Sequence, residues 1–209
     1  MRRGFLGGTF DPIHCGHLDV ASAAQHTLEL ALIEFLPAGT PPHRRAPLAS
    51  AQDRLAMVQL AIADHDGWAM SDLDTLEPGR PAYTAETLDR LARTGLDTRS
   101  LFFVTGADAF RDIATWKEYP GLLDRCHFVA VSRPGCAAPA LPGLLPALAG
   151  RMLEAPCGIP ARPSIFLVDA ATAPVSSTDV RRRLTAGESI DGLVPGDVAR
   201  YIRTHGLYA

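Results

Sequence analysis

The first candidate for chemistry is a glycine- and histidine-rich segment, residues 7–18, with the sequence Gly-Gly-Thr-Phe-Asp-Pro-Ile-His-Cys-Gly-His-Leu. Paired glycines let backbone N–H groups approach an anion closely, and the N-terminus of the following helix adds partial positive charge. His14 and His17 lie three residues apart there, so their ring N–H groups can point to one phosphate. The segment therefore predicts phosphate binding. No Gly-Lys-Ser/Thr is present, so a Walker P-loop is not the route.

A second candidate is the segment Val-Ser-Ser-Thr-Asp-Val-Arg at residues 175–181. Serine, threonine and aspartate are preferred N-cap residues, so a helix is expected to begin here with hydroxyl donors at its N-terminus. Arg181 lies within the first turn and can reach the β- and γ-phosphates of a nucleotide. The alternative is an ordinary capped surface helix with a solvated run of three arginines at 181–183.

The histidine pair also has alternatives that involve no phosphate. The two rings could cap the helix and pack in the core, or they could bind zinc. A zinc site would need a second Cys, His or carboxylate pair at matching spacing, and none accompanies them. The four cysteines show no CxxC spacing, which predicts reduced thiols in a cytoplasmic protein.

The elements that must position these segments alternate between short apolar runs and helical patterns. Such runs predict a parallel sheet covered on both faces, and ligands then bind beyond the carboxyl ends of the strands. We therefore expect an α/β fold, a Rossmann-like doubly wound parallel sheet with helices on both faces, in a single domain over residues 1–209. Residues 134–163 are interpreted as a variable excursion with one short helix, and residues 176–209 as a C-terminal helical part.

The predicted strands are Phe5-Leu6 with their neighbours and residues 32–36, 68–73, 101–104, 128–131 and 165–168. The predicted helices are residues 17–28, a helix capped by Ser50 with Asp53 as its capping partner, residues 84–93, 108–113 and 119–123, residues 176–184 closed by Gly187, and a last helix from Pro195 to Gly206.

Bulk composition restricts the partners. The 209 residues carry a net charge of −3, which gives no support to a nucleic-acid binder. No run of 18 apolar residues and no signal peptide are present, so no membrane association is expected. The only lysine is Lys117, so arginine supplies nearly all the other positive charge. Its planar guanidinium is suited to bidentate phosphate contact. Genome composition would explain the high arginine content equally well. The sequence leaves open whether the chain forms a homo-oligomer.

The two candidate segments together resemble the signature of the nucleotidylyltransferase superfamily, Gly-x-Phe-x-Pro-x-His-x-Gly-His followed by Ile-Ser-Ser-Thr-x-x-Arg. Further segments are similar to the bacterial nicotinate-nucleotide adenylyltransferases: residues 37–44, 80–88, 132–135 and 206–208, and Gly106-Ala107-Asp108 with Thr115-Trp116. The resemblance covers the chain and is weakest over residues 136–163. The chain departs from the family at Arg44, often lysine, and at Cys15, often tyrosine.

This resemblance implies transfer of AMP from ATP to nicotinate mononucleotide, with Mg²⁺ bound by the ATP phosphates and no metal-ligating side chain assigned. The catalytic residues it implies are His14, His17 and Arg181. The ATP-binding residues it implies are Gly7, Gly8, Thr9, Phe10, His14, Gly16, His17, Gly106, Asp108, Ser132, Arg133, Ser176, Ser177, Thr178 and Arg181. The mononucleotide-binding residues it implies are Thr9, Phe10, Pro42, His43, Arg44, Tyr83, Thr84 and Trp116.

In that family the residue matching Asp108 contacts ribose and the residue matching Trp116 stacks on the pyridine ring. An indole face attracts a cationic pyridinium by roughly 0.5–2 kcal/mol, although a core tryptophan is the alternative. Tyr83 and Thr84 lie where a loop enters a helix, so free N–H groups there could receive a pyridine carboxylate. Simple capping would account for them as well.

Three other functions are alternatives. A sister transferase would use nicotinamide mononucleotide or pantetheine phosphate as acceptor, and Trp116 with the segment around Tyr83 favours a pyridine ring. A nucleotide-sensing module without turnover would lack a phosphate-contact residue or carry a DNA-binding segment. A redox enzyme would need Gly-x-Gly-x-x-Gly after the first strand, and that spacing is absent.

Overall fold

The computed structural model describes residues 2–39, 46–75 and 82–209. Seven strands form one sheet in the order β3-β2-β1-β4-β5-β7-β6, and every neighbouring pair is parallel. The strands are β1 (Arg3–Gly8), β2 (Leu32–Pro37), β3 (Trp68–Met70), β4 (Leu101–Gly106), β5 (His127–Val131), β6 (Met152–Glu154) and β7 (Ile165–Val168).

Helices cover both faces of this sheet. They are α1 (Cys15–Leu28), α2 (Ala51–Ile62), α3 (Thr84–Arg93), α4 (Ala107–Phe110), α5 (Leu141–Leu144), α6 (Ser177–Thr185) and α7 (Gly196–Thr204). Side chains alternate across a strand, so Leu6 packs with α1, α2, α6 and α7 on one face, while Phe5 packs with α3, α4 and α5 on the other. The predicted Rossmann-like parallel sheet with two helical layers is confirmed.

Several predicted boundaries were wrong. Helix α1 begins at Cys15 and not at His17, because His14 takes the N-cap position and the Cys15 N–H donates to the Leu193 carbonyl at 2.9 Å. The third strand ends at Met70. The predicted helix at 108–113 is divided into α4 and a 3₁₀ turn over Ile113–Thr115, and the one at 119–123 is a 3₁₀ turn over Gly121–Asp124.

Residues 134–163 contain more structure than one short helix. Two 3₁₀ turns flank α5, and the three-residue strand β6 then pairs with β7 at the edge of the sheet. Three residues are too few to show an alternating pattern, and pairing with β7 creates this strand. Within the described part of the chain, no helix is both long enough and apolar enough to cross a membrane.

The strand order reverses between β1 and β4, which are neighbours at the centre of the sheet. The loops that follow these two strands leave in opposite directions and open a crevice at the carboxyl edge. Gly8 ends β1 and Gly106 ends β4, so the first candidate segment and the Gly106–Asp108 segment face each other across it.

Candidate functional site

A cavity of about 940 Å³ lies at this reversal point. Thirteen of the predicted nucleotide-binding residues and three of the remaining mononucleotide-binding residues line it together. They are Gly7, Gly8, Thr9, His14, Gly16, His17, Gly106, Asp108, Arg133, Ser176, Ser177, Thr178 and Arg181, with Tyr83, Thr84 and Trp116. Residues distant in sequence therefore share one concave surface.

The two histidines are stacked at the N-terminus of α1. Their ring centroids are 3.6 Å apart with an interplanar angle of 22°, and the His14 N–H donates to His17 Nδ1 at 3.2 Å. Phe10 meets the His17 ring edge-on at 5.0 Å. This packing fixes both imidazoles before any ligand arrives, as preorganised donors require.

His14 is the more buried of the pair, with 3% of its surface exposed. Burial, and after it the nearby Arg133 guanidinium, lower the pKa of His14 from 6.5 to about 3. The imidazole is therefore neutral near pH 7, and a neutral imidazole can offer one N–H donor but no positive charge. Its Nδ1 atom is buried without a hydrogen-bond partner among the described residues.

The second segment docks directly on the first. Ser176 caps α6, with its Oγ accepting the Asp179 N–H at 3.1 Å. Ser177 Oγ donates to the Pro12 carbonyl at 2.9 Å, and Arg181 Nη1 donates to the Asp11 carbonyl at 2.5 Å. The predicted N-cap is confirmed, and these bonds place the N-terminus of α6 beside the loop after β1.

Arg133 also connects these two segments through hydrogen bonds to a main-chain carbonyl in each. Its Nη1 donates to the Gly16 carbonyl at 3.0 Å and its Nη2 to the Val175 carbonyl at 2.9 Å. A Cβ at Gly16 would lie 2.4 Å from Arg133 Nη1, and one at Gly106 would lie 2.9 Å from Arg133 Cγ. A side chain at either position would therefore displace Arg133 from its present path.

The opposite wall is aromatic. Trp116 is half-buried and lines the cavity, with its edges packed against Phe103 and Phe128 at centroid distances of 6.3 Å. It faces the N-terminus of α3, where Tyr83 is the N-cap and Thr84 the first helical residue. Lys117 bridges the two sides: its Nζ lies 2.7 Å from Glu86 Oε1 and 4.9 Å from the centroid of the Tyr83 ring.

Two predicted contact residues lie outside the lining of this cavity. The Phe10 ring is buried in the core against Phe35, because a left-handed backbone at Phe10 (φ 50°) turns it inward. Ser132 lines a neighbouring hollow, and its Oγ donates to Asp169 at 2.7 Å and accepts from Ala138 N–H at 2.9 Å. The predicted residues Pro42, His43 and Arg44 lie outside the described part of the chain.

Three buried charged residues that support the site were not predicted. Arg54 donates to the carbonyls of Thr9, Ala38 and Gly39 at 2.7, 2.6 and 3.1 Å, and so ties the loop after β1 to the loop after β2. Asp74 accepts from Thr87 Oγ1 and from Arg90 at 2.7 and 2.8 Å. Helical spacing from Met57 and Val58 could have placed Arg54 on the buried face of α2.

The third of these is Asp11, which lies within the first candidate segment. It is 5% exposed and accepts hydrogen bonds from the Leu48 and Ala49 N–H groups and from the Tyr208 hydroxyl. Within residues 2–39, 46–75 and 82–209, no three His, Cys, Asp or Glu side chains are grouped so as to hold a metal ion.

Comparisons with known proteins agree with this geometry. The sequence profile of the cytidylyltransferase-like family matches residues 5–183. The whole chain is 39% identical to a probable nicotinate-nucleotide adenylyltransferase of a Geobacter species, covering 98% of it. It is 43% identical to one from Thermus thermophilus over the full length of both. The fold is similar to Plasmodium falciparum nicotinic acid mononucleotide adenylyltransferase complexed with NaAD (TM-score 0.74, 17% identity, 99% and 97% of the two chains).

Proposed function

Since the chain belongs to the cytidylyltransferase-like family and, within it, to the nicotinate-nucleotide adenylyltransferases, we propose that it transfers AMP from ATP to nicotinate mononucleotide. The products are nicotinate adenine dinucleotide and pyrophosphate, so the enzyme acts in NAD biosynthesis. Residues 1–209 form one catalytic domain in this proposal.

One observation carries the proposal. His14 and His17 lie at the N-terminus of α1, Arg181 is the fifth residue of α6, and all three line the same cavity as Trp116. A triphosphate requires converging donors, and a pyridinium ring favours an indole face. Both requirements are met at the two ends of one crevice.

The chemistry follows from the charges. An oxygen of the mononucleotide phosphate attacks the α-phosphorus of ATP, a new P–O bond forms, and the bond from the α-phosphorus to the bridging oxygen breaks to release pyrophosphate. A phosphate monoester has its second pKa near 6, so the nucleophile is already ionised at neutral pH. No general base is needed, and catalysis rests on alignment and charge stabilisation.

This chain's own residues have separate tasks in that step. The neutral His14 and its stacked partner His17 donate N–H groups to the oxygens of the α-phosphate region. Arg181 and the N-terminus of α6 stabilise the negative charge that develops on the leaving pyrophosphate. Asp108 and Arg133 lie next to Gly106 on the adenosine side.

Mg²⁺ is expected to accompany the nucleotide. In sites of this kind it takes most of its ligands from phosphate oxygens and water, with few protein ligands. It would supply neutralisation of phosphate charge at the cavity mouth. His14, His17 and Arg181 are donors, and the Asp11 carboxylate beside Arg181 already accepts three hydrogen bonds, which fits a metal that arrives already bound to ATP.

The N-terminus of α3, where the mononucleotide is proposed to bind, favours a pyridine ring that carries a carboxylate. The first N–H groups of α3 have no partner within the helix, and the positive end of the helix dipole favours an anion there. Lys117 lies on the same wall, 4.9 Å from the centroid of the Tyr83 ring, and its charge is paired with Glu86. A carboxylate gains from both the N–H groups and the helix dipole, whereas a carboxamide gains only a hydrogen bond.

Pyrophosphate release tests the proposal. The purified protein is incubated with ATP and Mg²⁺ and with nicotinate or nicotinamide mononucleotide, each at a range of concentrations. We expect turnover with both acceptors. The kcat/KM for nicotinate mononucleotide should exceed that for nicotinamide mononucleotide by at least about tenfold. Equal turnover with the amide would leave the transferase activity but remove the carboxylate preference. No pyrophosphate with either acceptor would refute the function.

A further inference from the structure

The Asp11 carboxylate is the point at which four separated parts of the chain meet. Its Oδ2 accepts the Leu48 N–H at 2.9 Å, and its Oδ1 accepts the Ala49 N–H at 3.1 Å and the Tyr208 hydroxyl at 2.7 Å. Arg181 Nη1 lies 3.7 Å from Oδ2. Asp11 therefore connects the loop after β1, the segment before α2, helix α6 and the segment after α7.

Arg181 lies beside this carboxylate but does not form a hydrogen-bonded pair with it. Its Nη1 donates to the Asp11 main-chain carbonyl, and its Nη2 is 3.3 Å from Thr178 Oγ1. A guanidinium has five N–H groups, and these two contacts leave it able to bind a phosphate. A direct bidentate pair with Asp11 would compete with that phosphate, since carboxylates and phosphates use the same guanidinium geometry.

The three other donors satisfy the Asp11 oxygens and so limit that competition. Two are main-chain N–H groups, and the third is the Tyr208 hydroxyl. Burial and the hydrogen bond to Asp11 raise the pKa of Tyr208, so the hydroxyl stays protonated and donates at physiological pH.

Tyr208 is held in place for this contact. It has a left-handed backbone, with φ 65°, which is uncommon for a residue other than glycine. Such conformations persist where surrounding contacts impose them. Here Thr185 Oγ1, on the last turn of α6, is 3.3 Å from the Tyr208 carbonyl, and the Leu207 N–H donates to the Ile202 carbonyl at 3.1 Å.

We propose that Tyr208 is a positioning residue for nucleotide binding: its hydroxyl occupies Asp11, so that the Arg181 guanidinium is presented to the triphosphate. The inference rests on the proposed function for the identity of the phosphate ligand. The side chain does not touch substrate and acts through Asp11 on Arg181.

The chain offers a matched control. Tyr201 also donates its hydroxyl to a carboxylate, Asp53 Oδ1 at 3.0 Å, but on the α2–α7 contact away from the cavity. Tyr208→Phe and Tyr201→Phe thus remove the same kind of hydrogen bond from neighbouring parts of the chain. Circular dichroism and urea denaturation test whether both variants are folded.

We expect Tyr208→Phe to weaken ATP binding and lower kcat/KM for ATP by roughly tenfold, the scale of one hydrogen bond to a charged group. The KM for the mononucleotide should remain unchanged. Tyr201→Phe should retain wild-type kinetics. In an Arg181→Ala background, Tyr208→Phe should have little further effect, because the residue through which it acts is gone.

Three results would overturn the inference. They are wild-type ATP kinetics in Tyr208→Phe, an equal and additive loss in the Arg181→Ala background, or a Tyr208→Phe protein that does not fold, which would make the hydroxyl a structural requirement. The Kd for ATP, measured by titration calorimetry, separates this test from the proposed function. A wild-type protein that binds ATP but transfers nothing would refute the transferase and still report on Tyr208.

Discussion

At the scale of single residues, the rings of His14 and His17 stack on each other but differ in burial. His14 is buried against Arg133, while His17 is only half-buried at the rim of the cavity. A neutral buried imidazole cannot neutralise a phosphate by charge in the free protein. In the proposed function it contributes a directed, preorganised N–H donor.

Replacing His17 by alanine should remove one such donor. We expect kcat to fall by about two orders of magnitude, equivalent to roughly 3 kcal/mol of transition-state stabilisation. The fold should survive because the His17 ring lies at the surface of the cavity. Steady-state pyrophosphate release measures the loss, and unchanged turnover in a well-folded His17→Ala protein would remove this histidine from the mechanism.

His14 predicts a pH dependence of stability. Its folded pKa, about 3, lies below the ordinary value of 6.5, so between these values the unfolded chain binds a proton that the folded chain does not. Stability therefore falls as the pH falls from about 6.5 towards 3. His14→Asn removes this contribution, and its free energy of unfolding should decline less steeply with acid.

Urea denaturation at pH 7.5, 6 and 5 measures that decline. The pKa of His127 is also lowered by burial, so the wild type and His14→Asn share its contribution and the difference between their slopes isolates His14. Parallel stability curves for the two proteins would contradict the assigned pKa.

At the scale of elements, the buried carboxylate of Asp74 holds helix α3 in position. Asp74 accepts from Thr87 and Arg90 on the helix, and its main-chain carbonyl accepts the Gly39 N–H at 3.2 Å. Burial raises the pKa of Asp74, and the bonds from Thr87 and Arg90 oppose that shift. The residue thereby sets where the N-terminus of α3 lies relative to the loop after β2.

Asp74→Ala should loosen that placement. We expect a loss of about 1–3 kcal/mol of stability, because Thr87 and the buried Arg90 lose their acceptor. The KM for the mononucleotide should rise several-fold, with the KM for ATP unchanged, since α3 lines only the acceptor side.

The matched control is Asp89→Ala on the exposed side of the same helix. Asp89 pairs with Arg125 at the surface, and exposed pairs contribute little. Equal effects of the two variants on the mononucleotide KM would show that Asp74 does not position α3.

At the scale of the whole molecule, substrate binding should stabilise the sheet that carries the cavity. Both walls of the crevice follow strands of that sheet, so opening the core destroys the site. Cys126 is fully buried beside β5, and burial raises its pKa to about 12. Cys157 is exposed. Modification of the Cys126 thiol therefore requires the core to open, whereas modification of Cys157 does not.

We expect a thiol reagent to modify Cys157 rapidly and Cys126 only through unfolding. ATP at about 100 times its Kd should slow Cys126 modification roughly 100-fold, corresponding to about 2.7 kcal/mol of added stability. Peptide mass spectrometry follows both sites. A Cys126 rate that is insensitive to ATP would show that the cavity and this part of the core open independently.

The sequence by itself determined the fold class, the two segments for which phosphate binding is proposed, and most of the residues around the cavity. It could do so because these features are local. Apolar runs define buried strands, Ser176 is an N-cap by its type, and His14 and His17 are three residues apart at one helix N-terminus. The family membership then agrees with the resemblance that those segments carry.

Only the tertiary structure decided how these segments are joined. Arg54, Asp11 and Tyr208 make contacts across 15 to 197 residues of sequence, and no local pattern encodes partners so far apart. The inward turn of the Phe10 ring and the edge strand β6 have the same origin, since packing against distant elements outweighs local preference there. Long-range pairing depends on the folded geometry, and for that reason the positioning of Arg181 could not be predicted from its motif alone.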